Sequence, residues 1–187
     1  VVENGARIVL IRPAPVPVEA PKPLSPSDLG GAKALPGEAA WPEAIAKARG
    51  TALHLLLERL PTLDPTSWPD HVASLIPDPI LAAEILAEAR LVLKAPDLAP
   101  LFGPETLAEV AVSAPWQGRI LAGSIDRLIV TPDRVQVIDY KSNAVIPAGP
   151  DQIPESILRQ LGAYAHMLGE IYPGRRIETA ILWTRGP

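Results

Sequence analysis

Between Gly118 and Ser142, in GRILAGSIDRLIVTPDRVQVIDYKS, a largely apolar run is followed by alternating apolar and polar positions over Val135 to Lys141. This pattern predicts two antiparallel strands, with Thr131-Pro132-Asp133-Arg134 supplying the turn. Upstream the period becomes helical. Ile45, Ala48, Ala52, Leu53, Leu56 and Leu60 form one apolar stripe over 42–60, with Pro42 in the first turn and Pro61 as the stop. Gly50, inside that helix, costs up to ~1 kcal/mol relative to Ala and points to close packing against another backbone. Ser67-Trp68-Pro69-Asp70 opens a second helix that runs to Leu75. Asp78-Pro79 opens a third, ended by Pro96. After Leu101-Phe102-Gly103 the period shortens to two around Val110 and Val112, which predicts a strand. Ala144 to Pro154 is a loop. Glu155 to Ile171 is an amphipathic helix with Ile157, Leu158, Leu161, Ala165 and Leu168 inward. Pro173-Gly174 then turns the chain into a last strand, Ile177 to Thr184. The elements predict an α/β fold: a mixed sheet from about Val110 to Thr184 with flanking helices, preceded by a helical section.

Ahead of these elements, residues 1 to about 12 have the pattern of a short strand. Pro13, Pro15, Pro17, Pro21, Pro23 and Pro26 follow, a spacing that favours an extended, semi-rigid linker. The expected organisation is a Pro-rich lead over 1–36 and one domain over 37–187. The Gly30-Gly31 pair reads as a turn and matches no phosphate-binding pattern.

Composition narrows the choices. A chain of 187 residues with 48% hydrophobic positions can bury a sizeable core. No apolar run approaches the ~20 residues that cross a bilayer, so no membrane partner is expected. The absence of cysteine excludes disulfides, thiol nucleophiles, cysteine zinc sites and an iron–sulfur cluster in this chain, and fits a cytoplasmic protein. The start VVENGARIVLIRP, without Met or leader, and the stop just after a strand suggest a fragment of a longer chain. A formal charge of -4 advertises no basic surface for nucleic acid.

Candidate chemistry concentrates in the hairpin. Asp139 and Lys141 lie two apart on a strand and share a face, and Asp126 interrupts an otherwise apolar run on the strand before. Two acids and a lysine at the end of a hairpin could hold a hard divalent cation and steady an attacking water. The competing reading is an ordinary solvated face, with Asp126-Arg127 as surface beside the turn. His54 lies across its helix from the apolar stripe, with Glu58 one turn later, and HLLLE is not the HExxH zinc pattern. Glu109 opens the first strand and either reaches the same polar cluster or faces water, the second being the expectation. Gln160 and Tyr164 sit one turn apart on one helix face, either as a polar pair or as support for an acid or lysine.

Four pieces in order, GTALH on a helix, GSID on a strand, IDYKS on the next strand and RQLGAY on a helix, resemble the RecB-type branch of the PD-(D/E)XK nuclease superfamily from about Gly50 to Thr184. LSPSDLGGAKALPG and IYPGRRIETAILWT are further similar to the C-terminal nuclease domains of AddA-type helicase–nuclease subunits of the alphaproteobacterial kind. The resemblance implies a restriction-endonuclease-like core and a divalent-metal-dependent deoxyribonuclease, an exonuclease domain working in double-strand break repair and end resection. It implies His54, Asp126, Asp139 and the Tyr140 carbonyl as metal ligands, Asp126, Asp139 and Lys141 as the catalytic group, and Gln160 and Tyr164 as supporting or DNA-contacting residues. Ser124-Ile125-Asp126 stands where the superfamily's name has Pro-Asp, a substitution usual in this branch. Mg²⁺ is the implied cofactor, with Mn²⁺ workable beside a histidine. Implied partners are DNA as a single strand, a helicase portion of the same chain and an AddB-like subunit. Arg119, Arg127, Lys141 and Arg159 are the expected sources of attraction for DNA. The alternative is a catalytically silent module that binds or gates DNA in the same complex.

Overall fold

The computed structural model describes residues 21–31, 42–143 and 145–185. The strand expected over 1–12 and most of the Pro-rich lead lie outside those residues.

Among the described residues, four α-helices and four strands follow in the order α1 (Glu43–Arg59), α2 (Trp68–Leu75), α3 (Pro79–Lys94), β1 (Thr106–Trp116), β2 (Arg119–Val130), β3 (Arg134–Lys141), α4 (Glu155–Ile171) and β4 (Arg176–Trp183). The start of α3 has a local cause. Asp78 caps α3 by accepting from the Ile80 and Leu81 N–H groups at 2.9 and 3.2 Å, which satisfies donors that have no partner within the helix. Pro79 follows at the first helical position, where its missing N–H costs nothing.

The sheet has the order β1-β2-β3-β4. The first two pairings are antiparallel, and β3 with β4 is parallel. A parallel pair cannot be joined by a tight turn, and α4 provides the crossover. The result is a mixed sheet with helices on both faces, as the element pattern predicted. The part of the lead that is described lies against it. Leu24 forms an isolated bridge to Leu121, its N–H on the Ile120 carbonyl at 2.8 Å and its carbonyl accepting from Ala122 at 2.9 Å.

Alternation along β3 divides the core. Val135 and Val137 join β1, β2 and α4, with Leu161, Met167 and Leu168 beneath them. Ile138 and Tyr140 face the other way, onto α1, α2 and α3. Leu53, Leu56 and Leu57 of α1, and Leu60 just after it, are fully buried there. Three expected core positions are corrected: Ala48 of α1 is exposed, as are Ile45 and Leu158. Ile45 is 45% exposed because α1 packs through its later turns, and Ile45 lies in the first. Leu158 is 49% exposed, since the inward face of α4 runs through Ile157, Leu161, Tyr164 and Leu168. Leu158 stands about 100° round the helix from Ile157.

The alternation also breaks. Ile125 is in the α4-side core, yet Arg127, two residues on, meets Leu57 of α1 and Tyr140. On β1, Val110 and Val112 pack on the α4 side while Thr106, of the same parity, contacts Arg127. Both strands exchange faces at one level, between the pairs Ala108–Arg127 and Val110–Ile125, where Glu109 and Asp126 lie across from each other without pairing and Glu109 has a positive φ of 50°. The β2–β3 ladder ends at the same level, with Arg127 and Ile138 its last pair.

Candidate functional site

At the end of the β2–β3 ladder, Tyr140 lacks a partner from the β2 backbone, and a side chain supplies one. The Tyr140 N–H donates to Asp126 Oδ2 at 2.6 Å. The other carboxylate oxygen, Oδ1, lies 3.1 Å from His54 Nδ1. Asp126 therefore joins β2 to β3 and to α1, with its side chain 11% exposed. This excludes the reading of Asp126-Arg127 as ordinary surface.

Asp139 and Lys141 do share a face, and that face meets α4. Lys141 Nζ lies 2.6 Å from Asp139 Oδ2 and donates to Gln160 Oε1 at 3.2 Å. Gln160 Nε2 donates to Asp139 Oδ1 at 3.0 Å. Its amide thus bridges the acid and the lysine, one end to each. Gln160 Nε2 also reaches the Tyr164 hydroxyl at 3.1 Å, and that hydroxyl donates to the Ser124 carbonyl at 2.6 Å. The pair one turn apart on α4 is a chain of hydrogen bonds running from the acid–lysine pair back to β2.

Electrostatics follow from this burial. Burial would lower the His54 pKa, but the hydrogen bond and charge of Asp126, aided by Asp139, outweigh it and hold the imidazole above its usual 6.5. Burial pushes the Asp139 carboxyl up, against the opposing pull of Lys141. Burial likewise raises the Tyr164 phenol to about 12, which keeps it a neutral donor.

Glu109 is the residue that the sequence pattern assigned to water. It is exposed, yet ligand atoms of Glu109, His54 and Asp126 all lie within 4.8 Å of one another. Ser124 Oγ donates to Glu109 Oε2 at 3.0 Å and helps to hold it there. Atoms bound on opposite sides of a Mg²⁺ ion at ~2.1 Å are ~4.2 Å apart, so small side-chain shifts bring the three onto one cation. Two carboxylates and an imidazole suit Mg²⁺ or Mn²⁺. Asp139, by contrast, is engaged by Lys141 and Gln160 and is outside this trio. The signals for Glu109 were its place across from Asp126 and its exchange of faces, and neither can be read before the strands are paired.

The trio opens into a cavity of about 540 Å³ lined by Gly50, Thr51, His54, Leu55, Glu58, Glu109 and Asp126. Gly50 sets its rim. A Cβ there would stand 3.3 Å from Ser142 Oγ, so the close approach is to a side chain just beyond β3 and not to backbone. Among the expected DNA-attracting residues, Arg127 is corrected: it is 4% exposed and spends its donors inside the protein. Arg119 and Arg159 are exposed, but Arg159 is paired with Glu155.

The sequence model of the PD-(D/E)XK nuclease superfamily matches residues 32–184, four-fifths of the chain and all the elements that build this site. The chain belongs to that superfamily, whose members hydrolyse phosphodiester bonds with divalent metal ions. No curated protein matches the chain.

Proposed function

We propose that this domain is a divalent-metal-dependent deoxyribonuclease in which His54, Glu109 and Asp126 hold the cation and Asp139, Lys141 and Gln160 form the adjoining catalytic face. One observation carries the reading: a trio able to hold a cation and a pair of buried Asp139 with half-buried Lys141 meet where β2 and β3 part, joined through Asp126 and the Tyr140 backbone. A divalent ion there would lower the pKa of a bound water and neutralise phosphate oxygens. The protein's own groups have separate tasks. Lys141 offers an ammonium to a phosphate oxygen or to the attacking water, held in direction by Asp139 and Gln160. Asp139 can move into the coordination shell as the Lys141 pair rearranges, which would give it the ligand role that the family resemblance implies. The Tyr140 carbonyl is the further ligand on the same grounds.

The finer reading is an exonuclease domain of an AddA-type helicase–nuclease, acting in the cytoplasm on a single strand delivered by a motor in the same chain, beside an AddB-like subunit, in break repair. The motif set and the AddA-like flanking stretches support it. The test is cleavage of labelled single-stranded DNA with Mg²⁺, Mn²⁺ or EDTA, beside Asp139→Ala and Lys141→Ala, in the isolated domain and in the full chain with its partner. Metal-dependent cutting lost in both variants is expected. Cutting of both strands unchanged by Asp139→Ala in the full complex would leave a DNA-binding or gating module.

A further inference from the structure

Arg127 is buried, and no carboxylate pairs with it among the described residues. Its guanidinium instead reaches three other elements. Nη2 donates to the Leu57 carbonyl of α1 at 2.7 Å, Nε donates to the Tyr140 hydroxyl of β3 at 3.1 Å, and Nη1 meets Thr106 Oγ1 of β1 at 3.4 Å. The same group lies 5.0 Å over the Phe102 ring. A buried cation satisfied only by neutral acceptors is expensive to desolvate, and packing alone gives no reason to place one here.

The Leu57 carbonyl explains how α1 is prepared for it. In a continuing helix that oxygen would accept from the N–H four residues on, but residue 61 is proline and has none. Pro61 leaves the acceptor open, and Arg127 fills it from the neighbouring strand. Leu57 is one turn after His54 on α1, and Tyr140 donates its N–H to Asp126. The two strong bonds of Arg127 therefore fasten, on one side, the helix that carries His54 and, on the other, the strand residue that holds Asp126.

We propose that Arg127 is a positioning residue for the cation site: it sets α1 at the height over β2 and β3 that brings His54 onto the same ion as Asp126 and Glu109. This rests on the reading of that trio as the metal site. Bonds from a neighbouring shell that orient metal ligands commonly change affinity or activity by roughly 10–100-fold when removed. Arg127→Met should thus weaken Mn²⁺ binding by about 10-fold or more.

The experiment separates positioning from simple satisfaction of a buried carbonyl. Mn²⁺ affinity, by calorimetry, and thermal unfolding of the metal-free protein are measured for wild type, Arg127→Met, Pro61→Ala and the double variant. Pro61→Ala returns an N–H that can take the Leu57 carbonyl within the helix. The expected result is that the double variant regains melting temperature relative to Arg127→Met but not Mn²⁺ affinity. Recovery of both would overturn the proposal, as would unchanged affinity in a folded Arg127→Met. Arg127→Lys covers the case in which Arg127→Met does not fold. Its point charge cannot make both bonds, so its affinity should also fall, and wild-type affinity there would equally overturn the proposal. Failure of the wild type itself to bind Mn²⁺ would instead remove the metal-site reading.

Discussion

Asp126 Oδ2 stands 2.6 Å from the Tyr140 backbone nitrogen, where a backbone carbonyl of β2 would stand if the ladder continued. The carboxylate thereby serves the fold and the site together. Asp126→Ala removes the acceptor and leaves a buried N–H, at a cost of about 1–3 kcal/mol. Asp126→Asn keeps an oxygen for that N–H and should lose much less stability, while divalent binding falls in both variants. Denaturant unfolding of the metal-free proteins, read beside Mn²⁺ titrations, checks the split. Equal destabilisation by the two variants would count against the hydrogen-bonding role.

Gln160 contributes differently, because its amide touches Asp139 and Lys141 but none of the trio. Gln160→Leu should lower the cleavage rate by roughly 10–100-fold, the range for lost supporting bonds, with Mn²⁺ affinity close to wild type. Rate and affinity measured on the same preparation distinguish this from a general loosening of the site.

Tyr164→Phe removes the bond to the Ser124 carbonyl and one partner of Gln160. A stability loss of about 1–3 kcal/mol is expected, because the Ser124 carbonyl loses its donor and Gln160 loses an acceptor. The phenol is raised to about 12, so the wild-type profile should show no ionisation of Tyr164 at ordinary assay pH.

The raised His54 pKa has a defined sign. Its folded-state value lies above 6.5, so the stability it contributes is fully present below pH 6.5 and is lost as pH rises through the folded value. Asp139, also raised, acts in the same direction from 3.8 upward, and comparison with His54→Gln isolates the histidine. A cation competes with the His54 proton, so Mn²⁺ affinity should climb across the same window. Calorimetric titrations from below pH 6.5 to well above it test this. A flat profile would remove His54 from the ligand set.

The parts of this account legible in the sequence share a cause. Alternation in β3 placed Asp139 with Lys141, and helical spacing placed Gln160 with Tyr164, because both are properties of one element. What the sequence hid involves two. Glu109 reads as a water-facing strand residue until β1 is paired with β2 and both exchange faces at its level. Arg127 follows an acid near a turn and looks like surface; in the fold it is buried against a carbonyl of a distant helix, one that Pro61 cannot use. Ile45 and Leu158 match the helical period, but period alone does not say where a neighbouring layer stops.

The central claim is that one divalent cation sits among His54, Glu109 and Asp126, next to the Asp139–Lys141 pair. Anomalous diffraction from a crystal soaked in Mn²⁺ tests it most directly. The account predicts a peak within coordination distance of all three side chains, lost in Asp126→Asn. A peak held by other residues, or none in a protein that cleaves DNA with Mn²⁺, would contradict it.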